Sequence, residues 1–273
     1  MPELPEVETI RNTLTPHVKS QKIEDFACYL PKLIKGDLID FKNNIIGATI
    51  TDLKRRGKYL FLYLDNAKVM IVHLRLTGQL LWVDLDLPKD KHTHLEFYFT
   101  GLKSKLIYRD LRQFGQFELI DQSEVVHYID NKKIATDALQ ITEQEFYGNL
   151  KRKKKFLKTI LLDQSVIAGI GNIYADEVLF LEKLSPMQLA SAITQDKANQ
   201  LLATIKATLK EAIEKKGTSI SDYIDSDGKK GGFQNLLHAY QKEGQPCFFC
   251  QEKIVAKKIN GRNTRYCPKC QDL

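Results

Sequence analysis

The sequence predicts an α+β chain of two domains, and three observations carry that prediction. Residues 44–120 hold short β-rich runs separated by turn residues, residues beyond about 142 show helical periodicity, and the C-terminal end carries four cysteines in two C-x-x-C pairs. Short strands at such spacing fit a sandwich or a barrel. At 273 residues the chain can bury a substantial core in two modest domains. Patterning fades between about 123 and 142, which places the domain junction there.

The first element is a lead helix. Val7, Ile10 and Leu14 form one apolar face at helical period; Pro5 suits the first turn, and Pro16 is expected to end the helix. Glu6 lies in the first turn, where the helix dipole favours a carboxylate. Met1 precedes a small residue, so trimming of Met1 is expected to leave Pro2 first. Its secondary amine, with a reference pKa near 8, would be partly neutral and nucleophilic at cellular pH, and Glu3 stands beside it as a possible proton carrier. A bare Met-Pro start is common and by itself reads only as a lead into a helix.

The β-rich runs follow in order: Ile45 to Leu53, Tyr59 to Leu64, Val69 to Arg75, His94 to Thr100, Lys105 to Tyr108 and Gln116 to Ile120. Alternation in Leu95-Glu96-Phe97-Tyr98-Phe99 is imperfect, so the two faces cannot be assigned from the pattern. Past the junction, Leu201, Ile205, Leu209 and Ile213 recur every four residues and Gly217 follows as a C-terminal cap, predicting a helix over 195–216.

Composition bounds the function. With 43% hydrophobic and 27% charged residues the chain reads as an ordinary globular protein. It has no apolar run long enough to span a membrane, and its acidic, proline-punctuated start is unlike a signal peptide. A cytoplasmic protein is expected. Five cysteines then argue for metal binding or burial rather than a disulfide framework, with Cys28 a lone buried hydrophobe. The net charge of +7 points to a polyanionic partner. Positive charge concentrates at Lys54 to Lys58, Lys151 to Lys155 and Lys257-Lys258.

The motif most specific by spacing is Cys247-x-x-Cys250, sixteen residues, then Cys267-x-x-Cys270. That spacing predicts a closed four-thiolate site for one structural zinc ion, the alternative being a redox dithiol. Asn260-Gly261 between the pairs is a hairpin-turn signal. Arg262 follows the turn, with Arg265 three residues on, offering guanidinium groups suited to phosphate or simply solvated. Ile167-Ala168-Gly169-Ile170-Gly171-Asn172-Ile173-Tyr174-Ala175-Asp176-Glu177 is a Gly-x-Gly loop running into a helix. It can cradle a phosphate or merely turn between two helices. A dinucleotide fold is disfavoured, because Tyr174 replaces the third glycine. Six of the eight residues from Lys151 to Lys158 are basic, which is either a solvated face or a backbone-contacting surface. Arg55-Arg56-Gly57-Lys58-Tyr59 is a basic turn opening a strand, in itself a common edge-strand device.

Taken together, the Pro2-Glu3-Leu4-Pro5-Glu6 start, Arg55 to Tyr59, His73-Leu74-Arg75-Leu76-Thr77-Gly78, Asp110-Leu111-Arg112-Gln113-Phe114-Gly115, the Gly169 to Glu177 string and the cysteine finger resemble the formamidopyrimidine-DNA glycosylases over nearly the whole chain. The resemblance implies an N-terminal β-sandwich with a lead helix (1–130), a helix-two-turn-helix bundle (131–220), and a lesion-loop segment with a zinc-finger β-hairpin (221–273). It implies a monomeric base-excision-repair enzyme of the bacterial cytosol, a glycosylase and AP lyase that removes 8-oxoguanine and formamidopyrimidines from duplex DNA held in a cleft between the domains. Pro2 would be the nucleophile, Glu3 the general acid, Glu6 part of the catalytic set, and Lys58 and Arg262 proton donors in β,δ-elimination. Leu76, Arg112 and Phe114 would fill the gap left by the everted base, and His92, Lys154, Lys158, Asn172 and Arg262 would contact DNA phosphates.

Two residues depart from the family pattern: Leu76 stands where methionine is usual, and Ser221 where arginine is frequent. Both bear on lesion preference. Two other readings use the same residues. One is a binding protein with its chemistry lost, disfavoured because Pro2, Glu3, Glu6 and Lys58 are all present. The other is a glycosylase preferring oxidised pyrimidines, disfavoured by Leu4 and by the Arg112/Phe114 pair.

Overall fold

A computed structural model of the chain describes residues 1–272. It contains two compact units, Met1–Asn131 with Lys215–Gly232, and Lys132–Glu214 with Phe233 onward.

In the first unit α1 (Leu4–Val18) buries Leu4, Val7, Ile10, Leu14 and Val18, the face that the spacing predicts. It does not end at Pro16. A proline inside a helix removes one backbone hydrogen bond and crowds the carbonyl four residues earlier, but here burial of Val18 and a bond from Lys19 N to Thr15 O (3.0 Å) close one more turn. β1 (Ile23–Cys28), β2 (Ile34–Lys35), α2 (Leu38–Ile45), β3 (Ile50–Arg56), β4 (Tyr59–Leu64), β5 (Lys68–His73), β6 (Gly78–Asp84), β7 (Thr93–Phe99), β8 (Ser104–Asp110), β9 (Gln116–Asp121) and α3 (Val125–Asn131) follow.

The strand expected from Ile45 begins only at Ile50. Asp37 caps α2 by accepting from Asp40 N at 2.7 Å, and Phe41 and Ile45 are the helix's buried residues, so the apolar pair Ile45-Ile46 ends a helix instead of starting a strand. β1, β2 and β6 are additional to the strands read from the sequence.

The strands form two sheets, β1-β7-β8-β6 and β2-β9-β5-β4-β3. The first is antiparallel throughout, and in the second only the short β2–β9 pair is parallel. Phe97 of β7 and Tyr108 of β8 pack on Phe117 of β9, with ring centroids 6.2 and 4.9 Å apart. One core thus joins the faces of both sheets, which makes the unit a sandwich. Six of the seven positions of β7 are buried, and this explains its weak alternation.

Residues 215–232 belong to this unit rather than with the zinc finger, where the sequence had grouped 221–232. Their backbone is held by first-unit residues. Trp82 N donates to Ser226 O at 2.9 Å, Ser226 N donates to Thr13 Oγ1 at 3.2 Å, and Asp227 pairs with His17 at 2.9 Å.

The second unit contains α4 (Glu143–Lys151), α5 (Leu157–Leu161), α6 (Asn172–Leu181), α7 (Gln195–Glu214) and the hairpin of β10 (Val255–Ile259) and β11 (Arg262–Tyr266). Helix α7 starts where expected and stops two residues before the predicted Lys216. Ile259 pairs with Arg262 across a two-residue turn, with Asn260 at φ 45° and Gly261 at φ 78°. Both values lie in the left-handed region that the Asn-Gly signal anticipates.

Candidate functional site

The start of α1 is held from two sides. Pro2 and Glu3 are buried, while Met1 before them is 44% exposed. The Glu6 carboxylate accepts from Glu3 N through Oε2 and from Thr218 N through Oε1, both at 2.8 Å. One side chain therefore fixes the first helical turn and the 215–232 segment together. Gly217, at φ +81°, is where that segment reaches Glu6; a Cβ there would lie 3.0 Å from the Glu6 side chain and from Tyr223.

Lys58 lies in the two-residue turn between β3 and β4, not within a strand, and is buried. Its rigidity comes from elsewhere. Arg55 Nη1 donates to Gly57 O at 2.9 Å, and Arg55 Nε pairs with Glu8 Oε2 at 2.7 Å, so the turn is clamped to α1. Burial would push the Glu8 carboxyl up, but Arg11 and Arg55 more than reverse it and hold it below the usual range. The cation has a second signature in His73. Burial first, then Arg75 and Lys58, push that imidazole down to about 3. His73 is neutral at physiological pH and stacks edge-on against Tyr59, with ring centroids 4.4 Å apart.

Leu76, His92, Arg112 and Phe114 come from three loops, and Asp110 ties all three, two through its carboxylate and the His92 loop through its backbone N–H. Asp110 is fully buried; its Oδ1 accepts from Thr77 Oγ1 (2.5 Å) and Arg112 N (3.1 Å). Its Oδ2 accepts from Tyr108 Oη (3.0 Å), Phe114 N (2.9 Å) and Gly115 N (2.9 Å). Burial opposes its charge, yet these donors bring the carboxyl below its ordinary range. Asp110 N also donates to His92 O at 3.0 Å, and Asp90, held low by Arg109, anchors the same loop by accepting from His92 N at 3.0 Å. Arg112 and Phe114 project outward from this frame. The guanidinium sits 5.2 Å from the ring centroid and the ring is 51% exposed. Leu76 is half-buried beside Thr77.

In the second unit Asn172 opens α6, and its Nδ2 donates to Asn263 O at 3.0 Å on the finger hairpin. Arg262 is exposed beside the hairpin turn, and Lys154 is exposed in its basic run. Lys158 departs from the expected surface role. Its side chain is 1% exposed and paired with Asp176 at 2.6 Å, because the helical phase of α5 turns it inward while Lys154 and Lys155 precede the helix. Burial pushes the Asp176 carboxyl up to about 6, against the pull of Lys158 and of the Arg265 N–H.

The four cysteine Sγ atoms lie within 4.8 Å of one another, with Cys247–Cys270 at 3.9 Å and Cys250–Cys267 at 3.5 Å. Tetrahedral bonds of about 2.3 Å to one ion require sulfur–sulfur edges of about 3.8 Å. The set fits a closed four-thiolate metal site.

Comparisons with known proteins agree with this geometry. The family description "Formamidopyrimidine-DNA glycosylase N-terminal domain" matches residues 1–117, and "Formamidopyrimidine-DNA glycosylase H2TH domain" matches 134–223. The formamidopyrimidine-DNA glycosylase of Carboxydothermus hydrogenoformans is 43% identical, covering 99% of this chain and all of that one. The chain belongs to the formamidopyrimidine-DNA glycosylase family. A second relative, from Lactobacillus helveticus, is 40% identical over 99% of both chains. Among solved structures, a Lactococcus lactis Fpg variant in complex with Fapy-dG-containing DNA superposes with TM-score 0.95 at 36% identity, each chain fully covered. MutM in complex with DNA containing carbocyclic 8-oxo-G gives 0.94 at 37%, again with full coverage.

Asp110, Thr77, Glu8 and Arg55 support these side chains and were not singled out from the sequence. Only Asp110 had a usable signal, an aspartate followed within five residues by Arg112, Phe114 and Gly115, a pattern in which a short carboxylate can collect backbone N–H groups. Glu8 and Arg55 are far apart in sequence and carry none.

Proposed function

We propose that this family member removes oxidised purines from duplex DNA and then cuts the strand, with the amine of Pro2 as nucleophile. The observation that carries the reading is the double anchoring of α1. The first turn is fixed through Glu6 and the Lys58 turn is clamped to the same helix through Arg55 and Glu8, which is what holding an amine and a second cationic group in attack geometry requires. Removal of Met1, the exposed first residue, frees the amine.

The chemistry follows from these groups. Pro2 N attacks C1′ and the base departs, while Glu3 donates a proton to the ring oxygen as the sugar opens. The resulting iminium acidifies the C2′ proton, whose loss expels the 3′ phosphate; a second elimination expels the 5′ phosphate. Lys58 and Arg262 supply protons to the leaving groups. Arg112, Phe114 and Leu76 occupy the space of the everted base, whose unstacking costs roughly a few kcal/mol. His92, Lys154, Asn172 and Arg262 contact phosphates, so affinity falls steeply with salt. Cys247, Cys250, Cys267 and Cys270 hold one zinc ion, which stabilises the finger and takes no part in the reaction. The enzyme acts as a monomer in the bacterial cytosol. Among the described residues no helix is long and apolar enough to cross a membrane.

Borohydride trapping on a duplex with 8-oxoguanine opposite cytosine tests the reading. A covalent adduct on the N-terminal peptide is expected. Strand cleavage with no adduct at that peptide refutes Pro2 as nucleophile, and an adduct only with oxidised pyrimidine refutes the purine assignment. Intact mass gives an independent check, since retained Met1 would block the amine.

A further inference from the structure

Lys158 ends a run of exposed cations but is itself enclosed. Lys151, Arg152, Lys154 and Lys155 are exposed, whereas the Lys158 side chain is 1% and its partner Asp176 0% exposed. Removing an ammonium from water costs several kcal/mol and is tolerated only where partners replace the water. Here the partners lie on α6: Lys158 Nζ donates to Asp176 Oδ1 at 2.6 Å and to Asn172 O at 2.9 Å.

The same carboxylate reaches further. Asp176 Oδ2 accepts from Arg265 N on β11 at 3.2 Å, so one ion pair touches α5, the first turns of α6 and the finger hairpin. Two shorter ties run parallel to it, Asn172 Nδ2 to Asn263 O at 3.0 Å and Asn260 Nδ2 to Thr159 Oγ1 at 2.7 Å. Asn172 and Arg262 thus sit on elements that the Lys158–Asp176 pair bridges. An ammonium already committed to a carboxylate and a carbonyl inside the unit is poorly placed to meet a phosphate.

We propose that Lys158 is not a phosphate ligand but a positioning residue, which with Asp176 fixes Asn172 and Arg262 at the separation needed for both to grip the DNA backbone at once. This rests on the reading above that Asn172 and Arg262 contact phosphates. The two roles for Lys158 predict opposite signs. If Lys158 bound phosphate, removing its carboxylate partner would free the ammonium and tighten binding. If Lys158 positions, the same change loosens both grips and weakens binding.

The test is the affinity of the full chain for a duplex with a stable abasic-site analogue, measured against salt, for wild type, D176N and the apolar double variant K158M/D176L. Full zinc content and unchanged far-UV circular dichroism certify each fold; the double variant removes both charges together, a change buried pairs often tolerate. Both variants should bind about tenfold or more weakly at 0.15 M salt. Adding N172A or R262A to the double variant should cost under about twofold more, although each weakens wild type severalfold, because groups acting as a unit are not additive. A direct phosphate contact would instead appear as unchanged or tighter binding by D176N, and as a salt slope about 0.9 shallower in the double variant with additive effects of N172A and R262A. Either result overturns the inference and leaves the DNA reading standing. Absence of salt-dependent binding by the wild type, or indifference of the wild type to both N172A and R262A, overturns the phosphate reading and this inference with it.

Discussion

Replacing Asp110 with asparagine tests whether one carboxylate organises the loops of Leu76, Arg112 and Phe114. In the native structure its oxygens accept from Thr77 Oγ1, Arg112 N, Tyr108 Oη, Phe114 N and Gly115 N. The least costly arrangement of the amide places Nδ2 toward Thr77, whose hydroxyl can turn to accept. Oδ1 then keeps Tyr108, Phe114 and Gly115, and Arg112 N–H loses one of its two acceptors, keeping Thr77 Oγ1 at 3.1 Å. Three bonds weakened from charge-assisted to neutral lose roughly 1 kcal/mol each, so D110N should be destabilised by about 3 kcal/mol.

Trp82, the only tryptophan, lies in the first unit, so urea unfolding followed by its fluorescence reports on the unit that contains Asp110. The pH dependence carries the same signature. Because the folded carboxyl is held below its unfolded value, its contribution is fully present above about pH 4, the unfolded range, and is lost as pH falls through the lower folded value. The stability gap between wild type and D110N should therefore close on acidification and stay constant from pH 5 to 7. A gap under about 0.5 kcal/mol at pH 7, or one that widens in acid, would refute the reasoning. D110N should also bind an abasic-analogue duplex more weakly, since the backbone that carries Arg112 and Phe114 is held less firmly.

Further outcomes follow from other parts of the molecule. A Cβ on Gly115 would lie 1.7 Å from Tyr108 Oη and 2.5 Å from Cζ, so G115A should lose about 1–3 kcal/mol in urea melts, with only partial recovery in Y108F/G115A because the hydroxyl is the nearest clash and the ring carbon remains. R55A releases the Lys58 turn from α1, and single-turnover strand cleavage should slow about tenfold to a hundredfold while duplex affinity changes less than twofold; an unchanged rate would show that the clamp is irrelevant to the chemistry. Metal analysis of the purified protein should give one zinc per chain. Chelation, or C250S, should disorder the finger core of Phe180, Cys247, Ile254 and Cys267 and abolish duplex binding, which retained affinity would contradict.

What the sequence by itself determined was whatever local chemistry forces. The face of α1, the Asn260-Gly261 turn, the extent of β4 and the two cysteine pairs each follow from spacing or from a backbone conformation that few residues adopt, and the structure keeps all of them. Local signals also misled where burial decided instead. Pro16 did not stop α1, and Ile45-Ile46 ended a helix because Asp37 capped it and Phe41 and Ile45 were buried.

Only the tertiary structure decided how cations of one run divide their work. Lys154 and Lys158 are equivalent as text, yet Lys154 precedes α5 and stays in water, while the first turn of α5 seals Lys158 against Asp176. It also decided that 215–232 lies on the first unit and that Asp110, Glu8 and Arg55 hold the candidate site in place. The physical reason is common to all three. A buried polar group must find its partner wherever the fold supplies one, and Asp176 for Lys158, Thr77 for Asp110 and Arg55 for Glu8 lie 18, 33 and 47 positions away, beyond the reach of any periodicity.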